Sequence, residues 1–471
     1  MDAAPSPRRI VARFDAATDG GENRKHWQNA DALSPNAALS PEVRRKLRMR
    51  SRYEVANNSY AKGIVDTLAH DIVGTGPRLQ FAGDSPEAAK QIEALWNEWA
   101  RAAAFADKLR LAVRSAIESG EVFARFIRND LMPSRVQLDL RLIEADQVAL
   151  PGLFIKLTAS DGIEFDSFGN PKSYTILKAH PGSGDMEALQ ADVVPATQVI
   201  HYFRAERPGQ VRGIPWLPPA LPLFAQLRRF TLAALTAAET AASVAMAIQT
   251  DAPPTEDGDD PESLDTFDLE RGSVTVLPPG YKLSQVNPSQ PTATYEMFKR
   301  EILNEMARSI SMPFNIAAGN SASYNYASGR LDHQTYDLSI QVLRTHIEDV
   351  VLARILAEFF REAVLIEGGL PQELRTKGAA LPPHSWIWPS REHVDPSKEA
   401  QAQATRLQNG TTTLQIECAA AGLDWRDVLE QQAAEAKERK RLGIEPKPAT
   451  PSTPPKPDPK DKAAVGGEED Q

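Results

Sequence analysis

Apolar residues that return every three or four positions predict helices over several stretches of this chain. In 57–72 they are Tyr60, Ile64, Leu68 and Ile72, stopped by Gly74 and Gly76. In 86–103, Ile92, Leu95, Trp96 and Trp99 share one face, and a third helix is predicted over 108–119, ended by Gly120. From Glu121 the period shortens towards two. That predicts strands over 122–127, 136–143, 162–165, 172–177 and 199–203, with Gly169, Asn170 and Pro171 as a turn. Short strands joined by tight turns argue for an antiparallel sheet or a small barrel.

Helical spacing returns in 221–242, where Leu223, Leu227 and Phe230 lie on one side and six alanines crowd the second half. Small side chains let neighbouring backbones approach, so this helix suits close packing, and at ~1.5 Å per residue it would run about 35 Å. Strand-like runs at 244–250 and 273–277 follow. A helix over 294–311 repeats Phe298, Ile302, Met306 and Ile310 with Leu303 on the same face, sets Glu301, Glu305 and Arg308 opposite, and ends at Pro313. The stretch 314–329 is a loop of Gly, Asn, Ser and Tyr with no charge. A long helix over 330–364 carries Leu343, Ile347, Val351, Ile355 and Phe359 as its stripe. Gly368, Gly369 and Pro371 break the chain before three shorter helices at 398–409, 414–421 and 425–442. From Pro446 onward there are seven prolines and many charges, so no core is expected there.

Charge changes this picture at two places. Ser40, Pro41 and Glu42 read as a helix start, and 44–52 then concentrates six cations, Arg44, Arg45, Lys46, Arg48, Arg50 and Arg52, expected to form a solvated face, with a phosphate contact as the alternative. The stretch 251–271 holds Asp251, Glu256, Asp257, Asp259, Asp260, Glu262, Asp265, Asp268 and Glu270 against Arg271 alone. Overall, 63 acids against 53 bases give a net charge of −10, the wrong sign for gripping nucleic acid and a useful one for letting it slide.

Candidate chemistry is sparse. Cys418 is the only cysteine, which excludes an intrachain disulfide and a cysteine-clustered metal site. His333 and His346 lack metal-ligand spacing. Gly74-Thr75-Gly76 lacks the third glycine of a dinucleotide loop, and no phosphate-binding GxxxxGK[ST], GxSxG or HExxH motif occurs. No uncharged apolar run reaches the ~18 residues of a membrane span, and no secretory signal is expected. No metal and no cofactor are expected.

Two helices framing a strand-containing insert, opened by the words Pro208 to Leu217 and followed by a neutral loop and a long helix, form a recognisable order. It resembles the portal proteins of tailed bacteriophages, in particular the lambda-type family, over about 8–443. The resemblance implies an α+β portal fold assembled as a ring, expected to be a dodecamer. It implies an N-terminal arm (1–52), a wing of helices then antiparallel strands (53–215), a stem of two helices (216–243 and 293–312) and a small α/β clip between them (244–292). A tunnel loop (313–329), a long tunnel-to-wing helix (330–368), a wing end with helical crown (369–445) and a Pro-rich tail (446–471) complete it. By the same resemblance, Asn315, Asn320, Ser321, Ser323, Tyr324, Asn325 and Tyr326 line the DNA tunnel, and Glu256, Asp257, Asp259, Asp260 and Glu262 face the large terminase subunit at the clip. The implied partners are further copies of the chain, the major capsid protein at the wing, head-completion or neck proteins, and double-stranded DNA read without sequence specificity. No membrane is implied. The implied place is the virion, after assembly in the bacterial host cytoplasm, and the implied role is a conduit, not an enzyme.

Two other readings stand beside it. A metal-dependent nuclease could use carboxylates of the acidic stretch 256–270, although such groups must converge from rigid elements and here sit among Pro253, Pro254, Gly258 and Pro261. A monomeric scaffold could bury the long helices in its own core.

Overall fold

The computed structural model describes residues 17, 22–81, 85–150, 159–243, 247–250, 281–284, 292–322, 324–371, 381–390 and 396–444. They belong to two compact units, one through Trp386 and one from Ile387. The class is α+β, with antiparallel sheets.

The first unit opens with α1 (Glu22–His26), α2 (Pro35–Ala38) and α3 (Pro41–Asn57). Ser40 caps α3 by accepting from the Val43 N–H, and Pro41 sits in the first turn, where no N–H is needed. Asn58 separates α3 from α4 (Ser59–Val73), its Oδ1 accepting from Tyr60 and Ala61. Because α3 runs unbroken to Asn57, the expected arm boundary at 52 falls inside a helix.

β1 (Arg78–Phe81), α5 (Pro86–Ala102) and α6 (Phe105–Ser119) follow. The apolar face of α5 builds an aromatic core. Trp96 lies 4.7 Å from Trp99 and 5.1 Å from Phe359, centroid to centroid, and the Trp99 indole N–H donates to the Leu138 carbonyl at 2.6 Å.

β2 (Glu121–Arg128) is the centre of a three-stranded sheet between β3 (Leu138–Glu144) and, later in the chain, β8 (Val199–Phe203). A second sheet takes β4 (Ala159–Ser160), β5 (Ile163–Phe165), β6 (Pro171–Leu177) and β7 (Ala191–Pro195) in sequence order. Phe123, Ile143 and Val199 from the first sheet and Ile163, Tyr174, Ile176 and Val194 from the second form one buried cluster. The strands therefore make two sheets sharing a core, the first of the two expected arrangements. β1 alternates Arg78, Leu79, Gln80 and Phe81 over four residues only, β4 is two residues long, and β7 breaks alternation and exposes Val193.

α7 (Leu221–Ser243) leads to β9 (Ala247–Thr250), which pairs antiparallel with β10 (Tyr281–Ser284), Ile248 opposite Leu283. The run 273–277, expected as a strand, lies outside the described residues. α8 (Thr292–Ser309), α9 (Phe314–Ala318), α10 (Tyr326–Ile347) and α11 (Ala353–Ala363) complete the helices of this unit. A single π turn, Glu348–Leu352, joins α10 to α11. Its extra residue rotates the stripe, so that Val351, Leu352, Ile355, Leu356, Phe359 and Phe360 are all buried. β11 (His384–Ile387) pairs with β1.

The second unit holds α12 (Pro396–Gln408), α13 (Leu414–Ala420) and α14 (Trp425–Leu442). Thr413 and Asp424 cap the last two, and Arg406 bridges Glu417 and Glu399 at 2.8 and 2.9 Å. The stretch expected to lack a core, from 446, lies outside the described residues.

Candidate nucleic-acid interface

The segment expected to meet DNA, 313–329, is only partly a loop. Pro313 caps the start of α9, so Asn315 is a helical residue, and α10 begins at Tyr326, four residues before the expected start at Arg330. The reason is local. Asn325 caps α10 by accepting from the Ser328 N–H at 2.8 Å, while Ser328 Oγ accepts from the Asn325 N–H at 3.3 Å. Polar residues read as loop formers by composition are here a reciprocal helix cap.

Between the two helices, Gly319 takes the left-handed conformation (φ 62°) that ends α9, and Asn320 and Ser321 are exposed. Asn320 Oδ1 accepts from the Ala322 N–H at 2.9 Å, and the Tyr324 N–H donates to Ser321 O at 3.0 Å. Asn315 Nδ2 lies 3.1 Å from His333 Nε2, so His333 ties α9 to α10. The Tyr324 phenol is partly buried beside Asp332, and burial together with that carboxylate raises its pKa. Tyr324 and Asp332 border a groove of about 330 Å³ with Arg300, Glu301, Asn304 and Phe314. Asn315, Asn320, Ser321, Tyr324 and Asn325 thus come together between α8 and α10. Ser323 lies outside the described residues, as do Glu256, Asp257, Asp259, Asp260 and Glu262.

α10 is anchored by the C-terminal end of α4. Tyr336 donates to Asp71 Oδ2 at 2.8 Å, and the Arg344 guanidinium donates to the carbonyls of Ile72 and Asp71 at 2.9 and 3.0 Å, a cation on the negative end of a helix. α7 and α8 lie side by side: Phe230 stacks on Tyr295 at 5.4 Å and meets Phe298 at 4.7 Å. Leu221, Phe224 and Leu227 bury the first half of α7, and Ile302, Leu303, Met306 and Ala307 bury the second half of α8. Beyond Phe230 the pair carries Leu232 at 63%, Leu235 at 55% and Met297 at 59% exposure.

Behind these elements sits an ion-pair hub that sequence reasoning missed. Glu121, the first residue of β2, is fully buried, and Arg212 bonds it through Nε at 2.9 and 3.0 Å. The Gly213 N–H donates to Oε2 at 2.9 Å, and His201 Nε2 lies 2.8 Å from the same oxygen. Burial alone would raise the Glu121 pKa, but the Arg212 charge and the His201 contact outweigh it and hold the carboxyl well below the usual range. Arg48 adds bonds to Glu121 at 3.3 Å and Asp146 at 2.7 Å, Arg52 reaches Asp146 at 2.8 Å, and Arg44 pairs with Asp161. The cation-rich helix is therefore not a wholly solvated face. Residues 44, 48 and 52 share its inner side, and their carboxylates come from residues about 70 to 120 positions later. The available signal was the four-residue spacing of those arginines.

A family model described as the phage portal protein, lambda family, matches residues 20–344. The chain belongs to that family. Portal relatives align along most of their length: the probable portal protein of Halomonas phage phiHAP-1 is 24% identical, covering 84% of this chain and 81% of the relative. Portal protein B of Escherichia phage lambda is 21% identical, covering 94% and 93%. Among solved structures, a chain from the virion of a native gene transfer agent particle shares the fold at a TM-score of 0.50, with 15% identity over 85% of this chain and 98% of that one.

Portal membership speaks for a structural role, since the relatives are portal proteins, and nothing supports the nuclease alternative. One cluster could suggest a metal: Glu144, Asp146 and His180 bring one ligand atom each within 4.8 Å. Arg48 and Arg52 already occupy these carboxylates. His180 Nδ1 accepts from the Gly182 N–H at 3.0 Å, which leaves the proton of the neutral ring on Nε2, the atom facing the carboxylates. The cluster is built as an ion-pair network. No helix of the described residues is long and apolar enough to cross a membrane.

Proposed function

We propose that copies of this portal protein stand side by side in a closed ring, expected to be a dodecamer, at one vertex of the capsid. The ring is the channel for DNA packaging and ejection and joins head to tail. The observation that carries this reading is the α7–α8 pair, rooted at one end and bearing exposed Leu232, Leu235 and Met297 at the other. Apolar side chains on paired helices that nothing among the described residues covers suit a neighbouring copy related by rotation.

In this reading 216–243 and 293–312 form the stem and 244–292 the clip, where the acidic residues Glu256 to Glu262 meet the large terminase subunit and later the neck proteins. The wing, 53–215, faces the major capsid protein, 330–368 returns from tunnel to wing, and 369–445 forms the wing end and crown. The 313–329 segment faces DNA. Its amides and hydroxyls, among them Asn320, Ser321 and Asn325, touch phosphates without releasing many counterions, so duplex DNA keeps moving. Assembly takes place in the bacterial cytoplasm.

Native mass spectrometry and negative-stain imaging of the purified protein test this: rings with a central hole support it, and a chain that stays monomeric when capsid and scaffold partners are supplied overturns it. For the loop, deletion of 321–326 is expected to impair packaging or DNA retention in assembled heads, and unchanged retention overturns that assignment.

A further inference from the structure

The cation run on α3 divides between two faces. Arg44, Arg48 and Arg52 point inward and are neutralised by Asp161, Glu121, Asp146 and Glu144. Arg45, Lys46 and Arg50 are exposed, and among the described residues none of the three has an ion-pair partner. Glu42, one turn before Lys46, makes no ion pair with it, and Glu54, one turn after Arg50, is taken by Arg228 at 3.0 Å. Met49 and Tyr53 lie among these cations, 59% and 56% exposed, and the Arg228 guanidinium, 5.3 Å from the Tyr53 ring centroid, fixes that ring.

We infer that the outer face of α3 is a second nucleic-acid surface, binding the phosphates of one duplex strand outside the channel. Charge density favours phosphate. Residues 45 to 50 span about 7.5 Å of helix axis, and a DNA strand places one charge per about 3.4 Å along its own axis, so three fixed cations face about three successive phosphates. Arg45, Lys46 and Arg50, without an ion-pair partner among the described residues, repel one another on one helix face, and a polyanion relieves that repulsion. Tyr53 contributes a hydroxyl of the kind that contacts phosphate oxygens, and Met49 an apolar surface for the sugar edge. The contact carries no base readout. It does not depend on the channel reading, because it uses neither the 313–329 segment nor ring closure.

The test is fluorescence anisotropy of the full chain with a labelled 20-base-pair duplex of mixed sequence, between 50 and 200 mM KCl. Each phosphate contact contributes about −0.9 to the log–log salt slope, so three contribute about −2.7, about a forty-fold loss of affinity over that range. The triple variant Arg45→Gln, Lys46→Gln and Arg50→Gln is expected to lose that part of the slope, while Arg128→Gln, an exposed arginine elsewhere, keeps it. A wild-type slope shallower than about −2.7 overturns the inference without any variant. So does a triple variant that melts like wild type and keeps the full slope. Binding of a 20-residue polyglutamate probe in preference to the duplex overturns it in favour of an acidic protein partner.

Discussion

Arg212 reaches across 91 positions of sequence to grip Glu121, both side chains almost wholly out of water, with a guanidinium nitrogen and a carboxylate oxygen 2.7 Å apart. The two terminal nitrogens of Arg212 also donate to the carbonyls of Val148, Ala145 and Asp161 at 3.1, 3.1 and 2.5 Å, so one side chain ties β2, the turns after β3 and before β5, and the approach to α7. A charge removed from such a pair leaves its partner buried and uncompensated. Arg212→Met and Glu121→Gln are each expected to lower stability by about 3–5 kcal/mol, with the double variant costing less than the sum. Urea unfolding followed by tryptophan fluorescence measures this, and additive losses would show that the pair is not coupled.

His201 makes the same hub sensitive to acid. Its ring is stacked between Phe123 and Phe203 at 4.2 and 4.4 Å, and burial lowers its pKa below the ordinary 6.5 despite the pull of Glu121. The unfolded chain therefore takes up this proton more readily than the folded one. The His201 contribution is complete above about pH 6.5 and is lost as pH falls towards the folded value; Glu121, whose pKa is depressed, adds a further loss below about 4.5. Thermal melts from pH 7.5 to 5 are expected to show falling stability, with a flatter profile in His201→Gln. An unchanged profile in that variant would assign the acid sensitivity elsewhere.

Two glycines allow the hub to close. Gly120 adopts φ 96°, and a Cβ there would fall inside the backbone of Ile214 and Pro215, while one on Gly213 would fall inside that of Gly120. Gly120→Ala and Gly213→Ala are expected to destabilise well beyond the ~1 kcal/mol of an ordinary glycine replacement, since backbone cannot yield as a side-chain tip can. Gly169→Ala, with open space around it, is the comparison, and chemical denaturation midpoints rank the three.

Between α9 and α10, Tyr324→Phe removes the phenol beside Asp332 and Asn325→Ala removes the cap of α10. Each is expected to cost about 1 kcal/mol locally and to speed amide exchange over 320–330 without changing exchange in β2. Hydrogen–deuterium exchange mass spectrometry reads this directly, and equal protection in all three proteins would mean that other contacts order the segment.

For the helix pair, Leu232→Asp with Leu235→Asp is expected to reduce ring yield while leaving the melting temperature of the unassembled chain within a few degrees, because both side chains already face solvent there. Native mass spectrometry compares ring yields. Rings at wild-type yield would place the subunit contact elsewhere.

The one-dimensional pattern was sufficient for most helices. The spacing of Ile64, Leu68 and Ile72, of Trp96 and Trp99, and of Ile355 and Phe359 forces one face inward whatever lies opposite. Gly74 and Gly120 then end α4 and α6 at positive φ, and the order of helix, insert and helix carried the family resemblance. Tertiary structure decided the rest, because the deciding partners are distant in sequence. Nothing near Arg48 reveals that Glu121 and Asp146 will neutralise it, and nothing near Glu121 announces Arg212. Asn325 and Ser328 read equally well as loop or cap until the backbone chose. Periodicity is a property of neighbours along the chain, whereas the neutralisation of a buried charge depends on which distant segments the fold brings to it.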